Sequence, residues 1–92
     1  MGQFVKQLQQ TTKFEKDLAR MKRRGVDLII LKNVVLPLLQ NEPLHPKHRD
    51  HTLTGDWQDH RECHLLPDWL LLYKTTSDFV RLERTGSHSD LF

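Results

Sequence analysis

Apolar residues change their spacing halfway along this chain, and the change divides it into a helical half and a strand half. Phe14, Leu18 and Met21 recur at intervals of three and four between charged neighbours, which gives a helix a single apolar stripe. Thr12 stands three residues before Glu15, at capping-box spacing, and Gly25 ends the pattern. A helix is therefore predicted over 13–24. Asp27 opens a second apolar series through Leu28, Leu31, Val35 and Leu38, widened by Ile29, Ile30, Val34 and Leu39, and predicts a largely buried helix. Pro37 removes a backbone donor and crowds the preceding turn, so a kink or an end is expected there. Pro43 and Pro46 mark a loop over 41–49.

From Trp57 onward the period shortens. Residues 57–66 read as one strand, Pro67 and Asp68 as a tight turn, and 69–74 as a strand apolar on both faces and hence central. Residues 76–78 turn the chain into a last strand over 79–85. A weaker alternation at 3–8 predicts a short first strand. The expected fold is α+β: a short N-terminal strand and two helices packed on one face of a small, mainly antiparallel sheet, forming a single domain over 1–92.

Composition narrows the class. At 92 residues and 37% hydrophobic content, the chain supports one small core and no second domain. The formal charge of +2 is uneven: residues 1–32 carry eight Lys or Arg against three acids, and residues 33–92 carry six against nine. The single cysteine, Cys63, rules out an internal disulfide and points to a reducing compartment. With no secretory pattern at the N-terminus and no apolar run long enough to cross a bilayer, the expected location is the cytoplasm, without a membrane partner.

The second half also gathers proton-transfer groups: His51, Glu62, His64, Asp68 and His88, with Arg84 as a fixed cation. An RNA phosphodiester carries its own nucleophile, the 2′-hydroxyl. Cutting it needs a base near that oxygen, an acid near the leaving 5′-oxygen and a cation beside the phosphate, with no metal or other cofactor. Histidine suits the first two tasks because it titrates near neutrality. His60, Glu62 and His64 share strand parity and so one face. Arg84 shares parity with Val80 and Leu82, so an undistorted strand would aim it at the core, and a bulge or emergence past the core's edge must redirect it. On the first helix Lys13, Lys16, Arg20 and Arg23 or Arg24 form a basic stripe able to face phosphates or simply to be solvated.

The run His51-Thr-Leu-Thr-Gly-Asp-Trp, then Arg61-Glu-Cys-His64, Pro67-Asp-Trp69, Tyr73-Lys74 and Glu83-Arg-Thr-Gly-Ser-His88 closing on Leu91-Phe92 resembles the YafQ branch of the RelE/ParE toxin superfamily. The resemblance covers residues 50–92 by motif and the helical half by pattern. It implies a ribosome-dependent mRNA interferase, the toxin of a type II toxin–antitoxin pair. The implied partners are a DinJ-like antitoxin that wraps it, the bacterial ribosome and mRNA, with DNA reached only through the antitoxin complex. It also implies His51, His64, Asp68 and His88 as the catalytic group, Arg84 on the phosphate, and Trp69 and Phe92 against RNA or shaping the pocket. Glu62 stands where the family pattern usually has Asp, one methylene shorter.

On chemical grounds Arg84 is the charge stabiliser, His88 the leading general acid, and His51 and Asp68 compete for general base, with His64 orienting substrate. Core packing competes with RNA contact as the role of Trp69. Three rivals stand beside this reading: a zinc site built from His45, His48, His51, His60, His64 and Cys63, a ParE-like toxin that poisons gyrase without cutting RNA, and a plain RNA-binding module.

Overall fold

A computed structural model describes residues 5–92. Strand β1 (Gln7–Gln10) leads into helices α1 (Thr12–Arg23) and α2 (Leu28–Leu39). Strands β2 (His51–Thr52), β3 (Arg61–Leu66), β4 (Trp69–Thr75) and β5 (Phe79–Gly86) follow, and a one-turn helix α3 (His88–Leu91) ends the fold. The sheet order is β1-β5-β4-β3-β2, antiparallel except where β1 lies parallel to β5. The expected first strand at 3–8 lies partly outside the described residues, and its observed counterpart begins at Gln7.

The core separates the two faces of the sheet. Phe14 and Met21 of α1 and Leu31, Val34, Val35, Leu38 and Leu39 of α2 pack with Cys63, Leu65, Leu71, Tyr73, Val80 and Leu82. Leu70 and Leu72 alternate to the opposite face and are fully buried there too, which is why β4 reads as apolar throughout. Two helices on one face of a mixed sheet is the expected architecture.

Local details differ from the sequence reading for identifiable reasons. The α1 cap is Thr11 rather than Thr12: its hydroxyl accepts from Phe14 N at 3.0 Å and donates to Glu83 O at 2.9 Å. A tertiary bond selected between two adjacent threonines. Helix α2 runs through Pro37 to Leu39, since a proline this close to a C-terminus forfeits one ladder bond without ending the helix. The strand expected over 57–66 begins only at Arg61, because Gly55–Trp57 form a 3₁₀ turn and Asp59 takes φ 71°.

Two irregularities set what faces where. Leu72 pairs with Arg84 and Tyr73 with Leu82, so Glu83 is an extra residue in β5, a β-bulge that inverts the parity of everything after it. By register Arg84 thereby starts from the face away from the helix core, its guanidinium reaching back to Asp17 of α1, and Thr85 turns inward, where its hydroxyl accepts from Trp69 Nε1 at 2.8 Å and donates to Leu70 O at 2.6 Å. Past β5, Ser87 and Asp90 form a reciprocal capping box that starts α3, an S-x-x-D spacing the sequence reading passed over.

Gly86 sits where this turn leaves no room. A Cβ there would lie 2.9 Å from Asp90 Cβ, and Asp90 is held by the capping box and by Arg24 at 2.6 and 3.0 Å. Gly86→Ala is expected to destabilise the fold by roughly 1–3 kcal/mol through overpacking, a drop of at least about 4 °C in Tm. A melting curve superimposable on the parent would show that α3 yields freely.

Candidate active site on the open sheet face

The open face holds a chain of ionisable side chains. Strand β2 pairs with β3 so that His51 lies opposite Glu62, and β3 pairs with β4 so that Glu62 lies opposite Leu72 and His64 opposite Leu70. Glu62 is buried. Its Oε1 lies 3.5 Å from His51 Nε2 and 3.8 Å from His64 Nε2. His64 and His88 follow with ring centroids 5.8 Å apart, and Asp68 Oδ1 completes the chain at 3.0 Å from His88 Nδ1. Arg84, opposite Leu72 from the other side, shares this face with Glu62.

Each imidazole is oriented by a bond to its other nitrogen. His51 Nδ1 donates to Arg49 O at 2.6 Å, and His64 Nδ1 to Pro67 O at 3.3 Å. A carbonyl only accepts, so in the neutral rings the proton resides on Nδ1 and Nε2 is the basic atom turned to Glu62. The placement of His51 depends on its neighbour Asp50, which accepts from Tyr73 Oη at 2.7 Å and from Arg61 Nε at 3.2 Å. In extended chain, fixing Asp50 on one side directs His51 to the other. The burial of Tyr73 and its bond to Asp50 hold its phenol well above the usual range.

Asp68 does more than end the chain. It accepts from both the backbone N–H of His88, at 3.1 Å, and its imidazole. These two bonds hold its carboxyl below the usual range although the side chain is exposed. His88 is thus fixed at the first turn of α3 by its Nδ1 side, with more than half of its side chain exposed. Beside His64, a cleft of about 490 Å³ is lined by Lys47, His48, Arg49, Leu66 and Pro67.

Other expected residues are placed differently. Trp69 is 1% exposed and belongs to the core; its side chain follows Leu71 and Tyr73 to the helical side, so the expectation of RNA contact is corrected in favour of packing. Lys13 and Lys16 are exposed on α1 and enter no ion pair among the described residues. Arg20 lies 3.9 Å from Asp17 and 3.8 Å from Asp90. Phe92 is 64% exposed. His60 precedes β3 and bonds Glu83 at 3.0 Å, where Arg81 also binds. Burial alone would raise the Glu83 carboxyl, but these two partners outweigh it and lower it.

The proposed zinc ligands do not converge. His45 and His48 spend their Nδ1 atoms on backbone groups. Cys63 is buried on the helical face, where desolvation raises its thiol far above the ordinary range. Among the described residues no three His, Cys, Asp or Glu side chains are grouped to hold an ion.

Asp17 carried no assignment from the sequence, and Arg24 entered it only as part of the basic stripe of the first helix. Asp17, only 3% exposed, takes Arg84 Nε at 2.6 Å and Nη2 at 3.2 Å, and this raises the guanidinium further. Arg24 grips Asp90 and holds its carboxyl far below the carboxylate range. The available signal for Asp17 was a carboxylate inside an apolar stripe, three residues after Phe14 and four before Met21.

Comparison with known proteins follows the same outline. The family described as "Bacterial toxin of type II toxin-antitoxin system, YafQ" matches residues 6–92. The mRNA interferase toxin YafQ of Escherichia coli (strain K12) is 40% identical over 80 residues, 86% of this chain and 87% of that protein. In the crystal structure of the E. coli DinJ–YafQ toxin–antitoxin complex, the matching chain has a TM-score of 0.89 at 36% identity, covering 96% of this chain and 98% of that one. A metal-bound toxin from Helicobacter pylori matches with a TM-score of 0.87 at 44% identity, covering 94% and 98%.

The Asp68 carboxyl provides a check on the site's geometry. Its folded pKa is depressed, so the His88 contact is present at neutral pH and is lost as pH falls through that depressed value. A carbon-detected NMR titration is expected to find Asp68 below the ordinary ~3.9 and to find it moved upward in His88→Ala. An Asp68 titration unchanged by that substitution would mean the two side chains do not meet in solution.

Proposed function

Because the chain belongs to the YafQ family of type II toxins, we propose that it is an endoribonuclease that cuts mRNA on the ribosome and is silenced by a DinJ-like antitoxin. The observation that carries this reading is the continuous set His51, Glu62, His64, His88 and Asp68 with Arg84 on the same sheet face. A toxin acting only by docking to gyrase has no use for such a set.

The chemistry distributes as follows. His51, its Nδ1 proton tied to Arg49 O, uses Nε2 as general base toward the 2′-hydroxyl, with Glu62 beside it to stabilise the imidazolium that forms. Attack of the 2′-oxygen on phosphorus forms one P–O bond and breaks the bond to the 5′-oxygen. His88 donates its Nε2 proton to that leaving oxygen. Asp68 therefore acts through His88 as its orienting group rather than as the base. Arg84 is permanently charged and lies against the phosphate oxygens as negative charge builds there. The products are a 2′,3′-cyclic phosphate, or the 3′-phosphate that follows it, and a 5′-hydroxyl.

The cleft beside His64 is lined by Lys47, His48 and Arg49 as well as Leu66 and Pro67, a mixed polar lining that offers a lone base little binding energy. The ribosome supplies the rest by holding the message in a strained geometry. Phe92, exposed near His88 on the short α3, stacks on one base, worth about 1–3 kcal/mol. Lys13 and Lys16 serve more distant phosphates. Both message and ribosome place the activity in the cytoplasm, and an acidic antitoxin segment masks the same cations by competing with RNA.

Arg84→Ala is expected to leave the chain folded at a lower Tm, because Asp17 loses two of its bonds, while slowing cleavage of ribosome-bound message by roughly a hundredfold or more. Arg84→Lys restores only part of the rate, since a point charge cannot reproduce a planar fork. Undiminished cleavage by the alanine variant, in a time course of message cutting on purified ribosomes, would remove Arg84 from the site.

A further inference from the structure

Burying a carboxylate on the apolar stripe of α1 is costly unless it is fully partnered. Asp17 is so partnered: besides the two bonds from Arg84, its Oδ2 accepts from the backbone N–H of Thr85 at 3.2 Å, and Arg20 lies 3.9 Å from Oδ1. The sequence separation of Asp17 and Arg84 is 67 residues, so this contact is made by the fold and not by local chain geometry. A buried or half-buried ion pair is poor evidence of stabilisation, because desolvation offsets much of its attraction. What such a pair does supply is direction.

The direction follows from which atoms are used. Asp17 occupies the Nε and Nη2 edge of the guanidinium. Arg84 Nη1 donates to no protein acceptor among the described residues, the side chain remains partly exposed, and the strand register sets residue 84 on the face that carries Glu62 and His64. The carboxylate removes one positive charge from Arg84, and the surrounding cluster returns it: Arg20 and Arg24 join Arg84 against Asp17 and Asp90.

We propose that Asp17 is a positioning residue for cleavage, locking Arg84 so that its Nη1 edge faces the phosphate before substrate arrives. A cation already aimed at the developing charge needs no reorganisation during the reaction, whereas a loose arginine must surrender rotamer freedom each time. The inference rests on the RNA-cleaving reading of the site. Asp17 touches no reacting atom, so its loss lowers kcat while the binding of message, set by the ribosome and other contacts, changes little.

A double-mutant cycle separates this role from a structural one. Asp17→Asn, Arg84→Ala and the double variant are compared for kcat and KM on ribosome-bound message, alongside Tm. Asp17→Asn is expected to reduce kcat roughly tenfold with KM nearly constant, and to add nothing once Arg84 is alanine. An equal loss in both backgrounds, or no loss in the parent, would overturn the proposal. If the asparagine variant fails to fold, Asp17→Glu takes its place in the cycle, where retained charge with altered reach gives a smaller kcat loss that again vanishes in the alanine background; a loss that persists there overturns the proposal. A parent protein inert on message would refute the functional reading instead. In that case the ¹H–¹⁵N signal of Arg84 Nε still tests the lock: a slowly exchanging resonance supports it, and fast exchange with water overturns it.

Discussion

One extra residue in β5 determines the arrangement of the whole second half. Strand side chains alternate strictly, so inserting Glu83 between the Tyr73–Leu82 and Leu72–Arg84 pairs reverses which side of the sheet each later residue meets. Without it Arg84 would enter the core and Thr85 would face solvent. With it Arg84 joins Glu62 and His64, and Thr85 satisfies the Trp69 indole inside the core. Gly86 then lets the chain fold back closely enough for Asp90 to cap α3, which brings His88 to Asp68. Bulges are enriched beside active sites because they re-aim a side chain without disturbing the ladder on either side.

The acids of this face and its margins act chiefly as holders of cations and rings. Asp17 holds Arg84, Asp68 holds His88, Glu62 stands between His51 and His64, and Asp90 ties α3 to Arg24 on α1. Several of these pairs are exposed, and exposed ion pairs contribute little stability. Their value lies in orientation, since acid/base catalysis depends on a few tenths of an ångström and on which ring nitrogen carries the proton. The same economy explains how a chain of this size supports a polar site at all: α1, α2 and the inner sheet face supply the core, and Leu70 and Leu72 seal the other side beneath the site.

Features governed by local periodicity were legible in the sequence. The helix periods located α1 and α2 to within about a residue, and the apolar run of β4 revealed a central strand. Features governed by contacts distant in sequence were not. Thr11 rather than Thr12 became the cap because Glu83 O, 72 residues away, accepts its hydroxyl proton. Trp69 became core because the Glu83 bulge supplied Thr85 as its partner. The aligned motifs yielded most of the ionisable set, yet no alignment of types could show that Asp68 is committed to His88 or that Asp17 grips Arg84. The S-x-x-D capping box of α3 was readable locally and was passed over.

The central claim is that this face performs attack by the RNA's own 2′-hydroxyl, with His51, His88 and Arg84 as base, acid and cation. The most direct test is a ribosome-bound message in which the nucleotide on the 5′ side of the cut carries a single 2′-deoxy substitution, otherwise unchanged. Cleavage at that position is expected to cease while the unsubstituted message is cut normally, because the nucleophile is gone and nothing else has moved. Continued cutting of the deoxy-substituted message at the same position would mean that another nucleophile attacks phosphorus, and the assignment of the site would be wrong.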